Sequence, residues 1–417
     1  MVEAVVSPRC ADEQLSQAGA GERRLPAAAD GASVVPAMAS ASANLLAIPH
    51  FRQLVMVQVL FWSASAVFLM LPKYLALQLH ADAIWIGLIM GGLGLGAVTM
   101  APMIGWLSRR WGRRRCLVAA NLLMAAGSLL FVGVTAPGPL AVFGRCLHGM
   151  AGALLYAHGT VLVIDLVPRS RLPSAIALFM TAGLVPNIIS PPLAEWLLAS
   201  HGPTVVFLGA GLVALVGAVL ATRLPDATPP VAAMPSSSIA RPAPALLIVS
   251  MLFGLAAGIV FTFHQPLALQ RGLLHVSGFL VTFTLTATSL RLVGGRTIDR
   301  LGSGRVACWT GAGYSLVMLG LAAMQPGMLP LLGICFGATH GLFYPTFVAF
   351  ALSRGDGRGR ETRMAWIGAA DKLGYLAVVT LGPLARAYGY PLLFMLSSAS
   401  LAIGVMLLRR TTTSDHR

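Results

Sequence analysis

Several ionisable side chains of this sequence stand inside long apolar runs, where they are well placed to do chemistry. Arg145 and His148 lie three positions apart in one run, and Asp371 and Lys372 are neighbours in another. Arginine offers a fixed positive charge, whereas acids and histidines change charge by binding protons. These side chains could hold a charged solute, carry protons or form ion pairs, and the elements around them decide between those roles.

The composition indicates that those elements are membrane-spanning helices. Hydrophobic residues make up 57% of the 417 residues and charged residues 10%, and the mean hydropathy is +0.79. One soluble core cannot bury that much apolar surface. We expect twelve spanning helices, each of roughly 20 residues, and the ten-residue alternation of a membrane barrel is absent. They lie at about residues 52–71, 84–104, 115–134, 138–162, 174–198, 203–222, 245–264, 277–294, 305–324, 328–350, 364–384 and 391–408.

One motif occurs twice, 190 positions apart, each time between the second and third spans of one half of the chain. A fixed offset of nearly half the length predicts two homologous halves. Glycines at both ends of the motif let the chain reverse tightly. The residues of this loop motif are Gly105, Arg109, Arg110 and Gly112 in the first copy, and Gly295, Asp299, Arg300 and Gly302 in the second.

These features resemble the major facilitator superfamily of transporters. The loop motif is similar to the family pattern GxxxDRxGR(R/K), although Arg109 stands where the family has Asp. Arg145 begins a stretch similar to the family's RxxQGxGxA, with His148 in place of Gln. The segment from Ser190 to Glu195 resembles, in degenerate form, a signature of proton-driven exporters. The resemblance is to the drug/proton antiporter-like and sugar-efflux-like members, and it implies two pseudo-symmetric six-helix bundles.

The net charge of +15 is an orientation signal rather than a nucleic-acid-binding surface, because arginines concentrate in alternate short gaps between spans. By the positive-inside rule those gaps and both termini lie in the cytoplasm, and we expect a multi-pass protein of the bacterial inner membrane. The expected domains are a disordered tail (1–48), a first bundle (49–223), a linker (224–243), a second bundle (244–410) and a short tail (411–417).

The resemblance implies a central cavity lined by the first, fourth, seventh and tenth spans. Its candidate substrate-binding residues are Gln58, Arg145, His148, Tyr156, His340 and Tyr344. In the fourth span Arg145, His148 and Tyr156 share one helix face, so we expect them on one cavity wall. The candidate coupling or gating residues are Arg145, Glu195, Arg291 and Asp371. We expect Arg291 to pair with Asp371, and a structural role for that pair competes with a gating role.

These elements predict secondary transport by alternating access. The sequence has no nucleotide-binding loop, metal-ligand pattern or catalytic motif, so neither enzymatic activity nor a cofactor or metal is expected. The expected partners are the lipid bilayer, a small-molecule substrate and the proton. Proton-coupled efflux of a small organic solute is the first hypothesis. Proton-linked uptake of a nutrient and a non-transporting sensor or assembly subunit with the same fold stay open.

Overall fold

A computed structural model describes residues 45–168, 171–226, 242–293, 300–354 and 360–413, and their regular elements are helices. Most of the expected N-terminal tail and linker, with the last four residues, lies outside these ranges. The final helix continues to Thr413, three residues beyond the expected end of the second bundle.

Eight α-helices form the bundle before the linker, and the second of them is a short helix that completes the first span. They are α1 (Pro49–Val67), α2 (Leu71–Leu77), α3 (Ala83–Met100), α4 (Ile104–Leu130), α5 (Pro139–Leu166), α6 (Leu172–Ala182), α7 (Pro186–Ser200) and α8 (Pro203–Ala221). The described residues after the linker form α9 (Pro244–Gln270), α10 (Ser277–Val293), α11 (Ser303–Ala322), α12 (Leu329–Ser353), α13 (Arg360–Leu376), α14 (Gly382–Tyr388) and α15 (Tyr390–Thr413).

The helices account for all twelve predicted spans. Within the described residues, eight helical stretches are long and apolar enough to cross a bilayer. One of them, Ala83–Gly133, makes two passes because the chain turns at Gly112, whose φ is 77° and ψ is 165°. The shorter or more polar helices α10, α11 and α13 with α14 supply the other three passes. The fold is therefore an all-α integral membrane protein of two six-helix bundles.

Prolines set where many of the helices begin. Pro49, Pro139, Pro203 and Pro244 each stand in the first turn of a helix. That position tolerates proline, because its missing N–H would have no partner inside the helix. The third helix begins differently, since the Asp82 side chain accepts a hydrogen bond from the Trp85 backbone N–H at 3.0 Å.

Two spans are broken part-way through the membrane. A 3₁₀ turn over Phe68–Met70 separates α1 from α2, and another over Ala377–Thr380 separates α13 from α14. Pro72 and Pro383 follow these turns, and neither has an N–H to continue the helical ladder. Each break leaves backbone polar groups that need partners, because the hydrocarbon interior offers no water.

The two halves touch along helices that approach closely at glycines. Helix α3 packs against α13 and α14, where a Cβ at Gly87 would stand 3.1 Å from the Val378 carbonyl oxygen. From the other side, a Cβ at Gly382 would lie 2.5 Å from the Ile84 Cα atom. The pair of α7 and α10 forms a second contact between the halves. Small residues thus allow the backbone contacts that drive helix association in lipid.

The same glycine packing inside the first bundle gives a stability prediction. A Cβ at Gly149 would collide with the Leu93 carbonyl oxygen, whereas a Cβ at Gly152, one turn along the same helix, meets no atom within 4 Å. We expect Gly149→Ala to lower the free energy of unfolding by about 1–3 kcal/mol, through forced separation of α3 and α5. Gly152→Ala should be neutral or slightly stabilising, because alanine is the better helix former. Thermal unfolding in detergent measures both, and equal transitions for the two variants would contradict the prediction.

Candidate functional site

The two copies of the loop motif end in the same backbone conformation. Gly112 has φ 77° and Gly302 has φ 83°, both in the region that favours glycine. This match gives a physical reason for the repeated glycine. Gly295 and Asp299 lie outside the described residues. We call the end of the molecule that bears Gly112 and Gly302 the Gly112 end.

Arginines that follow the first loop motif are held by acids of their own half. Arg113 forms an ion pair with Asp165 at the end of α5, and Arg114 Nη2 lies 2.8 Å from Asp226 Oδ2 after α8. The described partner of Asp165 stands 52 positions earlier in the chain, at Arg113. The reason is that α5 ends beside the motif, so the acid reaches across to it.

The motif residues themselves point outward or stand at its tight turn. Arg109, Arg110 and Arg300 are exposed, and a Cβ at Gly105 would meet only the Arg109 side chain, at 3.6 Å. The first copy is thus anchored through Arg113 and Arg114 rather than through the position where the family carries Asp.

At the opposite end, Glu195 joins the two halves. Its carboxylate is buried and accepts a hydrogen bond from Lys73 Nζ at 2.6 Å on its own half. It also accepts backbone N–H groups of Val276 at 2.9 Å and Ser277 at 3.2 Å, which begin α10 of the other half. Lys73 Nζ in turn donates to the Leu274 carbonyl oxygen. One carboxylate is therefore the acceptor for donors from both halves.

Gln265 joins the halves at the same end by filling the break in the first span. The Leu69 carbonyl oxygen and the Lys73 N–H are four residues apart and would bond to each other in an unbroken α-helix. Instead, Gln265 Nε2 donates to the Leu69 oxygen at 2.6 Å, and Gln265 Oε1 accepts from the Lys73 N–H at 3.0 Å. We call Lys73, Glu195, Gln265 and their backbone partners at 69 and 274–277 the Glu195 latch.

A weaker contact lies beside this latch. Arg386 Nη1 of α14 is 3.3 Å from Asp82 Oδ2 at the start of α3, and both side chains are largely open to solvent. Exposed pairs of this kind contribute about 0–1 kcal/mol. The buried latch, rather than the Asp82 pair, is therefore the main polar connection at this end.

In the middle of the eleventh span, Asp371 pairs with its neighbour. Lys372 Nζ lies 2.8 Å from Asp371 Oδ2, although the two residues point in different directions from the helix. The sequence hypothesis named Arg291 as the partner of Asp371, and that pairing is wrong. The long stem of Lys372 lets its ammonium fold back to the acid, and Arg291 is held elsewhere.

Arg291 binds a backbone carbonyl of the tenth span. Its Nε donates to the Gly341 oxygen at 2.9 Å. Pro345 stands four residues further along α12 and has no N–H to donate to that carbonyl. The carbonyl that Pro345 leaves without a helical donor is thus the group that orients Arg291.

Arg145 is buried in the first half without a carboxylate partner among the described residues. Its Nη1 lies 3.4 Å from His148 Nδ1, its guanidinium stands over the Phe68 ring at 5.8 Å, and its Nε has no hydrogen-bond partner. His148 is also buried, with Nε2 3.3 Å from Ser128 Oγ and its ring 4.2 Å from that of Phe68. The structure therefore places His148 in an aromatic core rather than on the expected cavity wall.

A charged and aromatic site lies where the halves face each other. Tyr156 of the first half is 52% exposed, and the Lys372 side chain of the second half is 55% exposed. Within the second half, a Cβ at Gly254 would meet the Asp371 backbone, and Tyr344 stacks on the neighbouring Phe253. Between the halves, α3 contacts Arg145 at Gly92 and Leu376, the neighbour of Tyr375, at Gly94. We call Arg145, Tyr156, Arg291, Tyr344, Asp371, Lys372 and Tyr375 the central site.

Three histidines and Gln58 lie away from this site. Gln58 is buried against Gly183 of the fifth span. The His340 ring stacks on Phe336 at 4.6 Å inside the second half. His264 is fully buried, and its Nδ1 is 2.5 Å from the Val260 oxygen. Most of the histidines that the sequence predicted to line a cavity therefore pack against aromatic rings instead.

The described residues hold no group of three or more metal-ligating side chains. His148 and His340, the pair that could have suggested a metal cluster, belong to separate aromatic cores in separate halves. Arg145, Tyr156 and Tyr344 remain as the candidate solute contacts of the original set.

Sequence reasoning missed three residues of these sites, Lys73, Gln265 and Tyr375. One signal was available, because Lys73 and Lys372 are the only lysines of the sequence and both pair with intramembrane acids. No comparable signal marked Gln265 or Tyr375, since their roles depend on a contact between halves.

A comparison with protein families decides the class of this molecule. The model of the Major Facilitator Superfamily matches residues 54–354. The chain belongs to the Major Facilitator Superfamily. This superfamily consists of membrane transporters, and the match covers the whole first half, the linker and the second half through α12.

Curated relatives in this superfamily share only part of the chain. A protein of Klebsiella pneumoniae named "Putative multidrug resistance protein MdtD" is 31% identical over 125 residues, covering 30% of this chain. A Citrobacter koseri protein of the same name is 27% identical over 150 residues. The matched region spans about a quarter to a third of the length of these relatives, 26% and 32% respectively.

Solved transporter structures share the fold over nearly the whole chain. The nucleoside transporter NupG (D323A mutant) has a TM-score of 0.74 at 14% identity, covering 87% of this chain and 99% of that one. The Escherichia coli xylose transporter XylE, in a partially occluded inward-open conformation, has a TM-score of 0.63 at 13% identity, covering 86% and 98%. At such identities the likeness shows the superfamily fold alone.

The Glu195 latch gives a prediction about conformation. Glu195→Gln removes the charge that three donors share, at a cost of about 1.5–3 kcal/mol for hydrogen bonds to a charged group. We expect the end of the molecule near Glu195 to open more often. Spin labels at the exposed positions Gln78 and Tyr388, one on each half, should then report a longer distance distribution by electron–electron double resonance.

The matched control is Asp82→Asn, which weakens the exposed pair with Arg386 but keeps an oxygen to cap α3. It should leave the distance distribution nearly unchanged. An unchanged distribution in Glu195→Gln, or an equal change in both variants, would show that the buried carboxylate does not hold this end closed.

Proposed function

We propose that this protein exports a small organic solute from the bacterial cytoplasm by proton-coupled alternating access. The observation that carries the proposal is an asymmetry along the membrane normal. Buried hydrogen bonds join the halves at the Glu195 latch, at the opposite end of the molecule from Gly112 and Gly302. Transporters of this architecture expose one midplane site to each side in turn by rocking their repeats.

The proposed orientation places the Gly112 end in the cytoplasm. Arginines concentrate at that end, in the short connections that the positive-inside rule assigns to the cytoplasmic side. Both termini then lie in the cytoplasm, and the Glu195 latch closes the periplasmic side. A solute would enter the central site from the cytoplasm in this state, which supports export.

Opening toward the periplasm requires the latch contacts to separate. Protonation of Glu195 would remove the negative charge that Lys73 and two backbone N–H groups bind, and it would weaken the connection. Asp371 is the second proposed proton-binding group, because its protonation would release Lys372 from their ion pair. Proton binding and solute position would then act on the same contacts between the halves.

The export direction is supported by the exporter-like segment at Ser190–Glu195 and by the multidrug-resistance names of the partial relatives. Proton-linked nutrient uptake uses the same site in the opposite direction. A non-transporting sensor or assembly subunit predicts that central-site residues can be changed without loss of function.

The first test uses purified protein in liposomes with an imposed pH gradient and an internal pH-sensitive dye, against a panel of dyes, sugars, amino acids and metal chelates. We expect solute-dependent proton flux that is lost in Arg145→Ala, because the buried guanidinium then no longer contacts the solute. Arg52→Gln, which removes an exposed cation outside the site, is the matched control and should keep the flux. Flux unaffected by Arg145→Ala would refute the assignment of the site.

A second variant separates coupling from transport. Asp371→Asn cannot exchange a proton but keeps the size of the side chain, so we expect solute counterflow to continue without net proton movement. Counterflow of radiolabelled solute and dye-reported proton flux are measured on the same liposomes. Wild-type proton flux in this variant would remove Asp371 from the coupling mechanism and leave Glu195 as the candidate.

A further inference from the structure

We propose that the central site binds an organic anion, with its carboxylate or phosphate held between Arg145 of the first half and Arg291 and Lys372 of the second. The inference rests on the proposed function only in taking the central site as the solute site. The argument uses the balance of charges, the condition of Arg145 and the aromatic surroundings.

Positive side chains outnumber acids in the site. The site holds three cations, Arg145, Arg291 and Lys372, and one carboxylate, Asp371. That carboxylate pairs with Lys372 at 2.8 Å. Among the described residues, Arg145 and Arg291 have no carboxylate partner. An empty site therefore carries excess positive charge inside the membrane, where an anionic solute would neutralise it.

The guanidinium of Arg145 has an incomplete set of hydrogen-bond partners within the protein. It is only 4% exposed, and its Nε has no hydrogen-bond partner in the described structure. A structural role would place backbone carbonyls around the guanidinium. Its contacts instead are a histidine nitrogen at 3.4 Å and an aromatic ring at 5.8 Å. The guanidinium thus keeps donors free for a planar anion, which arginine binds through two parallel hydrogen bonds.

The rest of the site suits an aromatic or amphiphilic body. Tyr156, Tyr344 and Tyr375 present rings and hydroxyl groups from both halves, and Tyr344 stacks on Phe253 with 5.6 Å between ring centroids. Rings offer apolar surface with a polar edge. Helix α3 contacts Arg145 at Gly92 and Leu376, the neighbour of Tyr375, at Gly94, so an anion at Arg145 would lie close to both halves.

The test uses three probes with the same ring and different charge: 1-naphthoate, 1-naphthamide and 1-naphthylmethylammonium. Binding is measured by equilibrium dialysis against the full chain in nanodiscs, and empty nanodiscs correct for partition into lipid. We expect 1-naphthoate to bind at least tenfold more tightly than either other probe. Saturable binding of the ammonium that equals or exceeds that of 1-naphthoate, or no saturable binding of 1-naphthoate, would overturn the proposal.

Variants connect the selectivity to the site. Arg145→Gln should weaken 1-naphthoate binding at least tenfold. Arg145→Lys should recover part of the lost affinity, because lysine keeps the positive charge but cannot form the two parallel hydrogen bonds of a guanidinium. Lys372→Gln removes an exposed cation and leaves the buried Asp371 carboxylate uncompensated, so it should also weaken anion binding, even if Arg145→Gln fails to fold. Arg52→Gln should bind as the unmodified chain does. Unchanged 1-naphthoate affinity in Lys372→Gln and in a folded Arg145→Gln overturns the proposal.

The outcome is distinguishable from that of the transport proposal, because binding is measured without a gradient. Anion-selective binding without proton flux in liposomes would support this inference and refute proton-coupled transport. Proton-linked export of a cationic dye that depends on Arg145 would support transport and refute this inference.

Discussion

The requirement that polar groups find partners inside the protein governs this structure, because hydrocarbon offers none. Within a helix, backbone N–H and C=O groups form hydrogen bonds with each other. Where a helix leaves such a group without a partner, a side chain from another helix binds it. The break after Phe68 is filled by the Gln265 amide from the other half. The carbonyl left free by Pro345 is taken by Arg291. Both functional regions are therefore built where a helix is interrupted.

Charged groups follow the same requirement with a different result. Among the described residues, the two acids buried within spans each pair with a lysine, Glu195 with Lys73 and Asp371 with Lys372. Glu195 also accepts backbone N–H groups across the halves, so its contacts oppose separation of that end. Asp371 is paired within one helix and adds no such connection. Of these two acids, Glu195 alone connects the halves.

Much of the architecture could be predicted from the sequence, and the site could be predicted in part. The spans, the turn at Gly112 and its repeat at Gly302 follow from local composition. Helix periodicity placed Arg145, His148 and Tyr156 on one face of the fourth span, and the family resemblance predicted that this face lines a cavity. The same periodicity misplaced His148, because a helix face does not reveal whether it meets a cavity or a neighbour's aromatic rings. The predicted partner of Asp371 was wrong because the long, flexible side chain of the neighbouring Lys372 reaches its carboxylate.

The sequence by itself determined the membrane-spanning fold, its two related halves and the positions of the buried charges. Apolar length, proline and glycine act locally, so their effects can be read along the chain. Only the tertiary structure decided that Glu195 and Gln265 hold one end together, that Arg145 lacks a carboxylate partner among the described residues, and that α3 contacts both Arg145 and α13 of the other half. Those facts depend on residues far apart in the chain, which are brought together by helix packing that no local pattern encodes.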